Sequence, residues 1–298
     1  MAKTAFLRLF PLLSVLFPAG LFAADWPMGD AGVSRNFGYN DSGSPVLGKV
    51  FAGKGEVLSS DTGEVFFSVS PSGSAWAAGF PSPLGAWTAV EHGNSMIGVY
   101  ARYEEGSETE TVRLKEGDPV AASGVSGWAQ QDGCLFMLYD RMEKRYVNPA
   151  MIVPPFADTV SPQIRSLQIL GESGVPVPLV PQLRVAQGRY FILVNAVDSL
   201  SDGRGNSLAP HRIVTSVNGT ETGRLSMDTM GVVDGMMTVS RGANAPVGKV
   251  RTARQVYANF PAFEVGEAQL VRGQALIEVY VEDITGNSVR NTVRIFVE

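Results

Sequence analysis

The stretch Glu91-His92-Gly93-Asn94-Ser95-Met96-Ile97-Gly98-Val99-Tyr100-Ala101-Arg102-Tyr103 decides how this chain is read. Its His-Gly-Asn triplet is turn chemistry, flanked by apolar segments that alternate with small or polar residues. Gly85 to His92 runs into the turn as one strand, and Ile97-Gly98-Val99-Tyr100 leaves it as the next. Gly117-Asp118-Pro119-Val120 and Gly124-Val125-Ser126-Gly127 then punctuate the chain before a third strand, Cys134 to Tyr139. Glycine spacing of this kind predicts an antiparallel, all-β arrangement.

Taken together, these segments resemble the core of the LytM/lysostaphin-type zinc peptidoglycan endopeptidases. The pattern of that family reads like H-G-x-x-x-x-T-x-Y-A-H, then G-x-x-V, then G-x-T-G, then H-L-H-F. Here the Y-A-H position is Tyr100-Ala101-Arg102, and the H-L-H-F position is Cys134-Leu135-Phe136-Met137. The resemblance implies a LytM-like antiparallel sheet and argues against the reaction. It places the family's H-x-G-x-D-like motif near Val46-Leu47-Gly48-Lys49-Val50, so Val46, Val50 and Phe136 fall at ligand positions. Cys134 and Arg102 fall at the positions that assist catalysis.

Catalytic zinc needs three protein ligands offering an imidazole or carboxylate, plus an open position for water. Valine and phenylalanine offer neither. The whole chain has two His, His92 and His211, and no His precedes Glu91. His92 belongs to the turn of the resembled family rather than to its ligand set, and His211 reads as a surface or hydrogen-bonded residue. The expectation is therefore no catalytic residue, no metal and no cofactor. A Cys134/His92 nucleophilic pair has no support in the spacing.

Composition agrees with an exported, folded chain. At 298 residues, 45% hydrophobic and 18% charged, it is long enough for two domains with real cores. Residues 1–24 carry Lys3 and Arg8 around an apolar run that ends in Ala23-Ala24, the layout of a secretory signal peptide. Pro11 and Pro18 interrupt the run, which is short for a membrane span. The rest has no second run of that length, so no membrane span is expected after signal removal. Loss of Lys3 and Arg8 takes the formal net charge from -5 to -7. No basic stripe with interleaved aromatics occurs, which leaves nucleic acid without support as a partner. The single Cys134 cannot form an intramolecular disulfide and, beside Leu135, Phe136 and Met137, reads as a small buried hydrophobe.

Proline density at Val153-Pro154-Pro155-Phe156 through Ser161-Pro162 marks a stiff connection. It divides the chain into 25–155, the LytM-like domain, and 156–298. In the second part Gln163 to Leu170, Arg189 to Val197, Arg212 to Val217, Gly235 to Ser240 and a hairpin from Leu276 to Val297 predict an immunoglobulin-like β-sandwich. One short helix is expected, Val250 to Phe260.

Three further motifs yield bland readings. Gly48 to Gly55 nearly matches a phosphate-binding loop, but Gly55 replaces the Ser/Thr and strand patterns follow. Asp198 to Asn206 offers calcium-type oxygens at Asp198 and Asp202, yet Leu200 breaks the spacing and a hairpin turn is favoured. Gly73 to Trp87 is an aromatic, proline-rich loop. The expected binding groove takes Arg102, His92 and Cys134 as its floor and Trp76 and Phe80 as its rim. The functional expectation is a non-catalytic LytM-like protein of the periplasm or cell envelope that binds peptidoglycan or regulates a cell-wall hydrolase. The alternatives are an active endopeptidase with atypical ligands and a purely structural envelope module.

Overall fold

A computed structural model describes residues 24–71, 82–239 and 251–298. Residues 1–23 of the expected signal peptide, Trp76 and Phe80 of the expected rim, and Val250 lie outside the described residues, while Ala24 is described and buried. The chain is all-β, folded into antiparallel sheets with one parallel pair, Arg184–Val185 beside Phe296-Val297. No helix among the described residues is long and apolar enough to cross a membrane.

The largest sheet is built around Gly133–Asp140. One edge of that strand pairs along Met96–Tyr103, which pairs in turn with Ala86–His92, Gly63–Val69 and Arg113–Leu114. Its other edge is shared. Lys49–Ala52 takes the first half, and Arg145–Val147 takes the second. The turn between Ala86–His92 and Met96–Tyr103 works because Asn94 and Ser95 adopt left-handed backbone, φ 57° and 62°. Alternation along Met96–Tyr103, reset by an irregularity between Ala101 and Tyr103, then buries Tyr100 and Tyr103 with Phe51, Val57, Val90, Cys134 and Phe136 in one core. Leu135, Met137 and Ala101 pack on the other with Val50, Val99 and Trp87.

The second half folds into two sheets that share one core. Gln163–Leu170, Gly188–Val197 and Phe263–Leu270 are adjacent in the first, with Pro176–Pro178 at its edge. Arg184–Val185, Ser288–Val297, Gly273–Glu282, Arg212–Val217 and Thr220–Ser226 form the second. Strict alternation in Gly273–Glu282 turns Ala275, Ile277, Val279 and Val281 inward against Ile192 and Val194 of the facing sheet. Each of the isoleucine and valine side chains contributes about 1.5–3 kcal/mol by leaving water.

The chain also crosses back. Thr229–Val233 pairs with Arg145–Val147, and Met236–Val239 and Arg251–Thr252 follow it, so residues far beyond 155 extend the first sheet. The expected helix is a single turn, Ala253–Val256, capped by a reciprocal Thr252/Gln255 box. Its C-cap Tyr257 leaves helical geometry and sends its hydroxyl to the Gly38 carbonyl at 2.8 Å. That long-range bond and the burial of Tyr257 outweigh the weak helical periodicity of the segment.

Candidate functional site

In an antiparallel ladder, residues directly opposite one another project to the same face. Phe136 stands opposite Lys49 on one side and Tyr100 on the other, and Cys134 stands opposite Phe51. Val50 stands opposite Leu135. Val50 and Phe136, expected as two converging ligand positions, therefore face opposite sides of the sheet. A one-residue register step decides this, and it puts Lys49 on the Phe136 face. Val46 follows the short strand Ser44–Pro45, its N–H donating to the Tyr39 carbonyl and its carbonyl accepting from the Gly38 N–H.

Lys49 is buried, with Nζ 3.8 Å from the Trp26 ring centroid and 4.7 Å from that of Phe156. The two rings stack at 5.3 Å and 14°, and Trp26 Nε1 donates to the Pro154 carbonyl at 2.8 Å. Desolvation pushes the ammonium down from 10.5 to about 7. The face on which the resemblance places Phe136 thus holds a buried cation and aromatic rings. Phe136 itself is 0% exposed.

Tyr100 organises the polar part of this core. Its hydroxyl accepts from the Ser60 backbone N–H at 2.7 Å, exchanges with Ser60 Oγ at 2.9 Å and lies 3.5 Å from His92 Nε2. His92 Nδ1 lies 3.1 Å from the Thr62 carbonyl, which can only accept, so Nδ1 carries the proton in the neutral ring. Burial lowers the His92 pKa, partly offset by the Thr62 bond and Asp61. A Cβ at Gly98 would stand 2.5 Å from His92 Nε2, so the ring needs glycine there. Burial raises Tyr100 to about 12 and also pushes the Cys134 thiol up. A thiol held protonated in the core is no nucleophile.

The structure places the residues expected as a groove floor in different surroundings. His92 and Cys134 meet Tyr100 within the core, and Cys134, at 2% exposed, has no surface to offer. Arg102 does not join them. It is the extra residue of a β-bulge, since Ala86 pairs with Tyr103 and Trp87 with Ala101, and its φ is 64°. The bulge redirects its side chain, whose Nε donates to the Pro83 carbonyl at 3.2 Å, while its backbone N–H donates to Leu84. Desolvation lowers the Arg102 pKa, and Asp41 opposes the shift. Arg102 therefore grips the chain just after the segment 72–81.

Residues that sequence reasoning missed lie on the same sheet. A second bulge leaves Phe66 unpaired between Val65 and Phe67, and both phenylalanines are half-exposed or more. The Phe67 ring lies 5.2 Å from that of Trp87. Two consecutive phenylalanines in an alternating strand were the available signal. The other two motifs resolve simply. Lys54 is exposed and 3.9 Å from Asp132. Asp198 closes a turn by a backbone bridge to Leu208, whereas Asp202 accepts from the Arg204 N–H. His211 is hydrogen-bonded through Nε2 to Asp228 Oδ1 at 2.7 Å.

A family profile matches residues 161–298. No curated protein matches the chain. Among solved structures, the chain is similar to one from the SpoIIQ–SpoIIIAH pore-forming complex, at 16% identity, TM-score 0.36, over 45% of this chain and 92% of that one. It is also similar to the antimicrobial peptidase lysostaphin from Staphylococcus simulans, at 13% identity, TM-score 0.36, over 75% and 88% of the two chains. A solution structure of lysostaphin gives 12% identity, TM-score 0.36, and coverage of 78% and 91%. Scores at this level carry no argument about activity, and the functional reading rests on the residues of this chain.

Proposed function

We propose that this chain is a non-catalytic LytM-like protein of the cell envelope, exported by its leader, that acts by binding peptidoglycan or by regulating a cell-wall hydrolase. The observation that carries the reading is Phe136. At the position where the resembled family supplies a zinc-binding imidazole, this chain has a fully buried phenyl ring, opposed by Lys49 on the same face. A phenyl ring offers a metal no lone pair at any pH. Phe66, Phe67 and the Arg102 bulge supply the recognition surface. Exposed aromatics of this kind give large contact area to a glycan strand or a protein. The second half, with its two facing sheets, is read as an immunoglobulin-like module.

The test uses the mature chain. After incubation with excess zinc and dialysis, metal content is measured alongside release of muropeptides from sacculi, and sacculus pelleting and pull-down of a purified hydrolase report binding. Zinc-free protein that pellets with sacculi or retains the hydrolase supports the reading. One zinc per chain with muropeptide release would make it an active endopeptidase, and no binding of either kind would leave a structural module.

A further inference from the structure

Asp158, Asp198 and Asp283 come from three distant places: the proline-rich connection, the residue after Gly188–Val197, and the turn that follows Gly273–Glu282. One carboxylate oxygen of each lies within 4.8 Å of the other two. Like charges this close repel, and the surroundings are built to hold them nonetheless. Asp158 Oδ1 accepts from the Val160 N–H at 3.1 Å and from Ser201 N and Oγ at 3.0 and 2.6 Å. Asp283 Oδ1 accepts from Thr285 N and Oγ1 and from Asn287 N at 2.8–2.9 Å. Asn287 Nδ2 then joins Asp283 Oδ2 at 2.8 Å to the Asp158 carbonyl at 3.2 Å.

Asp198 differs. It is 7% exposed, and its Oδ1 is buried without a hydrogen-bond partner. Among the described residues none of the three carboxylates takes part in an ion pair. A carboxylate kept for packing alone has its lone pairs satisfied, because an unpaired buried acceptor costs the full desolvation of the group. Asp158 and Asp198, without Asp283, line a cavity of about 30 Å³, large enough for a water, whose wall also includes Lys49, His211, Leu200 and Thr285.

We propose that Asp158, Asp198 and Asp283 bind one calcium ion, completed by water, which fastens the connection between the two halves to the end of the sandwich. An all-oxygen set with three carboxylates selects a hard divalent cation, and ligands drawn from a linker, a strand end and a turn suit the irregular, higher coordination of calcium better than the strict octahedron of magnesium. The site is independent of the peptidase resemblance. It draws its ligands from across the fold, not from the Asp198 to Asn206 segment alone, which the sequence favours as a hairpin turn.

The experiment titrates calcium chloride, and magnesium chloride as a second arm, into the EDTA-stripped mature chain by calorimetry, and follows the thermal midpoint in parallel. The expected result is one calcium per chain, a higher midpoint with calcium, and weaker binding of magnesium. Asp198→Asn and Asp158→Asn keep the shape and remove charge, so both variants fold, and each weakens calcium binding by roughly tenfold or more. No heat and no shift of the midpoint at about 10 mM calcium would overturn the proposal. So would calcium affinity unchanged in both variants. Should Asp198→Asn raise stability while the wild type ignores calcium, the carboxyl holds a proton instead of an ion and the proposal fails.

Discussion

Lys49 and Phe136 stand opposite one another on adjoining antiparallel strands, so an ammonium group and a phenyl ring share one buried face of the sheet. Burial lowers the Lys49 pKa from 10.5 to about 7, so between those values the unfolded chain binds a proton that the folded chain does not. Stability therefore rises with pH across that window, with a ceiling of about 1.4 kcal/mol per pH unit, and the full penalty is present below pH 7. The Trp26 and Phe156 rings favour the ammonium, which raises the folded pKa and shortens the window from its lower end. Lys49→Met should be more stable than wild type at pH 7 and lack the slope. Parallel stability profiles for the two proteins from pH 7 to 10, measured by urea unfolding, would refute this.

Tyr100 is fully buried and is the hydrogen-bond partner of the Ser60 backbone N–H. Tyr100→Phe keeps the ring and strands that donor, with an expected loss of about 1–3 kcal/mol at unchanged denaturant slope. A loss below about 0.5 kcal/mol would show that water replaces the hydroxyl and that Tyr100 does not organise the core.

Cys134 is the sole cysteine and lies in the core with its thiol pKa raised by burial. A disulfide-exchange reagent should leave it untouched in the folded protein at pH 8 and titrate one thiol per chain in denaturant. Rapid labelling of the native protein would place the sulfur at a surface and reopen the groove reading.

Arg102 holds left-handed backbone, a conformation that costs a non-glycine residue about 1–3 kcal/mol. Arg102→Gly should therefore be more stable than Arg102→Ala, by about 1 kcal/mol, although both lose the guanidinium. Both should pellet less with sacculi, since both release the grip on Pro83. Wild-type pelleting by both variants at matched stability would move the binding surface away from the bulge.

The strands were legible because their burial alternates: Gln163–Leu170 and Arg212–Val217 occupy the residues that period-two patterning indicates. What patterning does not encode is which residue drops out of register. The bulges at Phe66 and Arg102 each shift a strand by one position, and the pairing of Lys49 rather than Val50 with Phe136 is a register fact of the same kind. The carboxylate cluster was out of reach for a different reason. Asp158 and Asp283 are separated by more than a hundred residues and become neighbours only when the sandwich closes. The isolated turn around Asp198 showed one of its three members.

The pairing of Arg145–Val147 with Thr229–Val233 has a practical consequence for genetic dissection. A chain cut after Pro155 keeps every residue of the first half yet loses the neighbour of Arg145–Val147, and with it the bonds from Asn148 to Met227 and Asp228. Its bared strand would recruit other copies edge to edge. Deleting the second half would then produce insoluble protein whose silence in an assay says nothing about which half recognises the partner, and single substitutions in the intact chain are the means of telling the halves apart.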